Sequence, residues 1–253
     1  MSDSGYDGAR FLDADRHENA CVIARVLVVV PVRDEERLLP ACLTALARAA
    51  ERVDVPVRIQ LVLDACTDAS ARVPTSNVEV MEIDERNVGA ARSLGFAEAG
   101  ATCGAETWFA TTDADSEVDD SWLRAQLGYA RNDSDVVAGV VGVRSWADHT
   151  AATRRTYEKQ YPSTGAHGHV HGANLGFRAD TYWRIGGFRH LRTGEDIEMV
   201  SRMIAADARV TWADDVVVTT SARRIGRAPH GFADHIRRIE RAVNPYRKES
   251  RSA

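Results

Sequence analysis

Between residues 25 and 143, short runs of β-branched and aliphatic residues alternate with helix-like stretches, and this alternation constrains the fold more than any other feature. Strands are expected at 25–31, 57–63, 77–83, 107–112 and 135–143. Helices are expected at 34–50, 88–99 and 120–131, the first with Leu39, Cys42, Leu43, Leu46 and Ala50 on one stripe. Alternation of this kind implies an α/β fold with a mostly parallel, Rossmann-like sheet, right-handed crossovers and helices on both faces.

The second half is less regular. Residues 150–161 read as a helix, 170–177 as a glycine-containing strand or loop, and 210–212 and 216–220 as short strands. The stretch 194–208 reads as a helix with Ile197, Val200, Met203 and Ile204 inward. Phe232, Ile236, Ile239 and Val243 form the stripe of a last amphipathic helix. A polar, acidic N-terminal tail is expected over 1–22, with one catalytic domain over 23–221 and a basic loop, helix and tail over 222–253.

Composition narrows the classes. The 253 residues are 44% hydrophobic and 27% charged, enough for a sizeable core. A formal net charge of −5 argues against a generic nucleic-acid binder. The longest apolar run, 26–32, is too short to span a bilayer, and 1–19 has no signal-peptide core, so a cytoplasmic location is expected, with membrane contact at most peripheral. Cys21, Cys42, Cys66 and Cys103 lie far apart without paired metal spacing and read as free thiols. The sequence leaves oligomeric state open.

Chemistry gathers where the strands end. Pro31-Val32-Arg33-Asp34-Glu35-Glu36 closes the first, Asp64-Ala65-Cys66-Thr67-Asp68 the second, Asn87-Val88-Gly89-Ala90-Ala91-Arg92 follows the third, and Asp113-Ala114-Asp115 closes the fourth. Each has a plainer use: Asp34, Thr67 and Asp68 as helix caps, Gly89 and Ala90 as small residues for close packing. Together they converge on the carboxyl edge, where open α/β sheets bind ligands. Side chains two apart on a strand share a side, so Asp113 and Asp115 offer paired hard oxygens suited to Mg²⁺ or Mn²⁺ and a phosphate. An EF-hand is excluded, because Val118 and Arg124 stand where it needs glycine and glutamate.

In this order the motifs resemble the family 2 glycosyltransferases of the GT-A fold, over roughly residues 25–221. The resemblance implies a hexosyltransferase-type enzyme with a nucleotide-diphosphate sugar donor, Mn²⁺ or Mg²⁺, and inverting transfer to an unknown acceptor: a small molecule, a glycan or a lipid-linked group. It implies a nucleotide-binding half over 23–116 and an acceptor half over 117–221. Pro31, Val32, Arg33, Glu35, Asp64, Asn87, Gly89, Arg92, Asp113 and Ala114 would then line the donor site, with Asp64 at the base and Arg92 near base or ribose. Asp115, with Asp113, would hold the metal. His171, Gly172, Ala173 and Asn174 would lie on the acceptor side. Of the pair Glu195-Asp196, the aspartate would be the catalytic base. Thr193-Gly194-Glu195-Asp196 also matches a capping box.

The chain departs from the family pattern after the second strand. Leu63 replaces the first of two acids, and Ala65 and Cys66 stand for its glycine and serine. The processive signature Gln-x-x-Arg-Trp is absent, which favours transfer of a single sugar. His167, His169 and His171 alternate, which on a strand would be one face; they read as a loop cluster with no ion, the alternative being an imidazole metal site. From 223 to 251, nine Lys/Arg face three Asp/Glu. Arg223, Arg224 and Arg227 would close over a diphosphate, with His230 as a further metal ligand. The basic helix is either a solvated face on a packed helix or a lipid-binding one. A retaining GT-A transferase, a nucleotidyltransferase and a non-catalytic nucleotide-binding module remain as alternatives.

Overall fold

Val26 to Val30 are buried on both faces, as the central strand of a parallel sheet requires. The computed structural model describes residues 22–73, 78–98, 103–161, 167–223 and 232–243. Residues 1–21 of the expected tail, including Cys21, and the expected diphosphate and metal residues Arg224, Arg227 and His230 lie outside them. The strands are β1 (Arg25–Val32), β2 (Val57–Asp64), β3 (Glu79–Ile83), β4 (Thr107–Thr111), β5 (Ser116–Val118), β6 (Val136–Val143), β7 (Leu175–Arg178) and β8 (Val210–Thr220). They form one sheet in the order β3-β2-β1-β4-β7-β6-β8-β5. The run β3-β2-β1-β4 is parallel, as expected, and β6 pairs parallel with β8. Strand β7 enters antiparallel between β4 and β6, so both halves of the chain share one sheet.

Alternation along β1 supplies two cores. Val26, Val28 and Val30 face α1 (Leu39–Ala50) and α3 (Trp122–Arg131), whose Leu39, Leu46, Trp122 and Leu123 join them. Leu27 and Val29 face the opposite layer of α2 (Val88–Glu98), α5 (Ala179–Arg184) and α6 (Glu195–Ala205), with Phe96, Tyr182 and Met199 in it. A third cluster joins α4 (Ala151–Gln160) to α7 (Phe232–Val243) through Tyr157, Ile236 and Ile239. The apolar face of α7 is therefore packed on protein, and the lipid-binding alternative for that face does not hold.

Several local expectations change. Helix α1 starts at Leu39, not 34, because the carboxylate of Asp34 turns away to the loop after β2. The two short strands expected at 210–220 are one strand, with a register shift opposite Gly139/Val140. β5 and α5 were not anticipated: each is too short to show a period. On α6, Ile197 and Ile204 are exposed while Met199 is buried beside Val200 and Met203. The inward stripe is thus rotated from the one the sequence suggests. No described helix is long and apolar enough to cross a membrane.

Candidate active site

The loops after β1 and β2 are tied together by carboxylates. Asp34 accepts hydrogen bonds from the Thr67 N–H (2.6 Å), the Thr67 hydroxyl (3.1 Å) and the Asp68 N–H (3.2 Å). Those donors, the Thr67 amide foremost, hold its carboxyl below the usual range. Asp68 caps a short 3-10 turn at Ala69–Arg72 through the Ser70 N–H, 2.8 Å away, the capping role expected of it. Asp64, 4% exposed, accepts from the backbone N–H groups of Glu85, Arg86 and Asn87 at 2.7–2.8 Å. It thereby shapes the entry to α2, where Asn87 accepts from the Ala90 N–H.

These loops carry backbone strain. Asp34, Ala65 and Arg86, one after each of β1, β2 and β3, have φ of +53°, +52° and +51°. Ala65 occupies the position where the family pattern has glycine. Its Cβ in the left-handed region costs about 1–2 kcal/mol, offset by about 0.4–1 kcal/mol through the greater unfolded-state freedom of glycine. Ala65→Gly is therefore expected to raise stability by up to roughly 1.5 kcal/mol in urea unfolding. A lower midpoint at unchanged m-value would contradict the strain.

Arg92 is the electrostatic centre of the sheet edge. It is 2% exposed, and its guanidinium bonds Glu195, Asp113 (2.7 Å) and the Thr111 hydroxyl (3.2 Å). Burial works against its charge, but the Glu195 and Asp113 carboxylates outweigh that and keep it protonated. Burial likewise pushes the carboxyls of Glu195 and Asp113 upward, against the pull of Arg92. Gly172 lies against this guanidinium, where any Cβ would collide with it. Arg92 thus holds Asp113 and Glu195 in place rather than facing open solvent.

Asp115 belongs to a second network. It accepts from the hydroxyls of Ser221 (2.8 Å), Thr220 and Ser116 (both 3.3 Å), and Arg223 lies 3.2 Å from it. Arg223 also pairs with Glu35. One cation therefore bridges the end of β1 and the carboxylate beyond β4. Among the described residues no group of three or more His, Cys, Asp or Glu could hold a metal ion.

Asp196 is arranged differently from Glu195. Its two oxygens accept the Gly172 N–H (2.7 Å) and the Ile197 N–H (2.8 Å), and it forms no ion pair among the described residues. The expected capping box does not form. Gly194, at φ +70°, is the N-cap of α6, and no side chain caps it. Gly89 is small because segment 189–191 descends onto it, the Gly89 N–H donating to the Leu191 carbonyl (3.1 Å), and not for helix–sheet approach.

One cavity of about 680 Å³ collects most of these groups. Pro31, Val32, Arg33, Glu35, Asp64, Asn87, Arg92, Asp113, Asp115, His171, Gly172, Ala173, Glu195, Asp196 and Arg223 all line it. Gly89, Ala114 and Asn174 do not. Asn174 is fully buried and clamps β6 to β8 through the Val140 and Val216 carbonyls while accepting from the Trp122 indole.

The model of glycosyl transferase family 2 matches residues 27–186, most of the chain. The chain belongs to glycosyl transferase family 2. This glycosyltransferase is similar in fold to TarS from S. aureus in complex with UDP-GlcNAc, with a TM-score of 0.60 and 14% identity over 87% of this chain and 66% of that one. It is also similar to the mannosyltransferase PcManGT from Pyrobaculum calidifontis, in complex with GDP-Man and Mn²⁺, with a TM-score of 0.58 and 18% identity over 90% and 73%. These likenesses show the GT-A fold. The transferase spans only 60–66% of the first two TarS chains. No curated protein matches it in sequence.

What the sequence reading missed in this transferase is the far wall of the cavity. Tyr157, Tyr161, His169 and His167 form a continuous ring stack, with neighbouring centroids 5.2, 4.1 and 5.4 Å apart. The histidine alternation was visible, but its partners, Tyr157 on α4 and Tyr161 at its C-cap, were not. His171 meets the Tyr161 hydroxyl at 2.7 Å, and burial lowers its pKa to about 4. Burial also lowers His167 and His235, so these imidazoles are neutral at physiological pH.

Proposed function

We propose that the transferase moves one sugar from a nucleotide-diphosphate donor to an acceptor hydroxyl with inversion, Asp196 acting as general base. The carrying observation is the contrast between adjacent carboxylates: Glu195 is buried in an ion pair with Arg92, whereas Asp196 lines the cavity with backbone N–H partners and no ion pair among the described residues. A base must be ionised and within reach of the hydroxyl proton it takes. The donor would lie along the ends of β1, β2 and β4, where Arg33, Glu35, Asp64, Asp113 and Asp115 line the cavity; two proteins of similar fold were solved with UDP-GlcNAc and GDP-Man.

Asp113 and Asp115 fit Mg²⁺ or Mn²⁺, which are commonly held by one or two carboxylates plus substrate phosphates. Arg223 beside Asp115 shows that this position already accommodates positive charge. A bound ion would neutralise charge on the departing diphosphate. Arg223 would hold phosphate oxygens once released from Asp115, bidentate contact being the strength of a guanidinium. Calorimetry of UDP and GDP with Mn²⁺ or EDTA tests the assignment. Both nucleotides should bind far more weakly in EDTA, and Asp115→Ala should abolish the difference while the melting curve stays cooperative. Equal affinity with and without metal would refute it. The second reading, a retaining transferase, has no observation in its favour here.

A further inference from the structure

Both oxygens of Asp115 carry donors. Oδ1 accepts from the Ser116 and Thr220 hydroxyls, each at 3.3 Å. Oδ2 accepts from the Ser221 hydroxyl at 2.8 Å and lies 3.2 Å from Nη2 of Arg223. These neighbours differ in what they tolerate. A hydroxyl carries two lone pairs as well as its proton, so it can turn and stay beside a cation. A guanidinium has donors only and keeps its charge, so it repels a cation. Among the described residues, Arg223 is therefore the partner of Asp115 that cannot share it with a divalent ion. The two arginines of the site also differ in freedom. Arg92, which holds Asp113, is 2% exposed and is fixed by Glu195 and Thr111 as well. Arg223 lies three residues beyond the end of β8, its side chain is 27% exposed, and its other arm, Nη1, rests on Glu35. Burial opposes its charge, but Asp115 and Glu35 keep it protonated. Leaving Asp115 costs it one contact and not its place on the cavity wall, which it lines.

We propose that Arg223 is the resident counter-ion of Asp115 in the metal-free enzyme, and that a divalent ion reaches Asp115 only by displacing it. The proposal rests on the donor reading for the nature of the ion, and adds a control on when that ion binds. An ion arriving alone must expel a cation from a carboxylate. A nucleotide diphosphate lowers that cost, because its phosphate oxygens give the released guanidinium a new bidentate partner. Ion and diphosphate then bind as a pair, each raising the affinity for the other by the same factor. Arg223 thereby keeps the carboxylate neutralised until the donor's own charge calls the arginine away.

The test is Mn²⁺ binding to the full chain without nucleotide, read from the electron paramagnetic resonance signal of the free ion. Arg223→Met should bind Mn²⁺ roughly tenfold tighter than the parent, because the like charge beside Asp115 is gone. Mn²⁺ should also raise the melting temperature of this variant more than that of the parent. UDP in EDTA should bind the variant more weakly, since its phosphates lose the guanidinium. Arg33→Met removes an equal charge from the cavity lining and leaves the partners of Asp115 in place, so it should tighten Mn²⁺ far less. If Arg223→Met melts without cooperativity, Arg223→Gln, which keeps an N–H donor and drops the charge, carries the same expectations. Unchanged or weaker Mn²⁺ binding in the folded variant, unchanged UDP affinity in EDTA, or equal tightening in Arg33→Met would overturn the exchange alone. Absence of Mn²⁺ binding from parent and variants, even with UDP, would sink the metal reading together with it.

Discussion

Asp196→Asn is expected to lower kcat by roughly 10²–10⁴, the usual contribution of a general base. The substitution keeps the side-chain shape and removes the proton acceptor. It also leaves one of the two N–H groups of Gly172 and Ile197 facing an amide NH₂, since each now meets its own carboxylate oxygen. A stability loss of about 1 kcal/mol is therefore expected, far too small to account for the rate. Steady-state kinetics with a donor panel should show the fall in kcat with donor affinity nearly unchanged. If Glu195→Gln is the inactive variant and Asp196→Asn turns over normally, the roles are exchanged. If both retain full activity, the base lies elsewhere.

Arg92→Met is expected to be strongly destabilising. It removes the counter-charge from Glu195, which is 5% exposed, together with the bonds to Asp113 and Thr111. Breaking a buried pair from one side typically costs about 3–5 kcal/mol. In a chain of this size that is a fall in Tm of roughly 6–20 °C. The pH dependence separates charge from packing. In the variant the folded pKa of Glu195 lies above its unfolded value, so the folded state binds the extra proton as pH falls. The deficit is thus full above that folded pKa and shrinks on acidification. Urea unfolding of variant and parent at several pH values measures it. A deficit that stays constant with pH would mean that lost packing, not an uncompensated carboxylate, is the cause.

Both predictions depend on adjacency that no local pattern contains. The Arg92–Glu195 bond closes over 103 residues and the Arg92–Asp113 bond over 21. Read along the chain, Arg92 is a cation on the second turn of an alanine-rich helix, equally suited to a nucleotide or to solvent. Resemblance alone chose Asp196 over Glu195 as the base, and burial of Glu195 against Arg92 adds a physical difference between them.

The sequence by itself determined the α/β class, the four parallel strands from 25 to 111 and the gathering of polar residues at their carboxyl ends. Those features follow from hydrophobic period and from the fixed hand of the crossovers, both local or general rules. Tertiary structure alone decided the rest. β7 runs antiparallel between β4 and β6, a pairing set by a partner more than sixty residues distant. The inward face of α6 is set by the layer it meets, so Ile197 and Ile204 stay outside. The wall of Tyr157, Tyr161 and His169 exists only because α4 and α7 pack together beside the segment leading into β7. Periodicity specifies which face of an element is apolar, but contacts between distant segments choose what that face meets, and this enzyme's chemistry sits at such contacts.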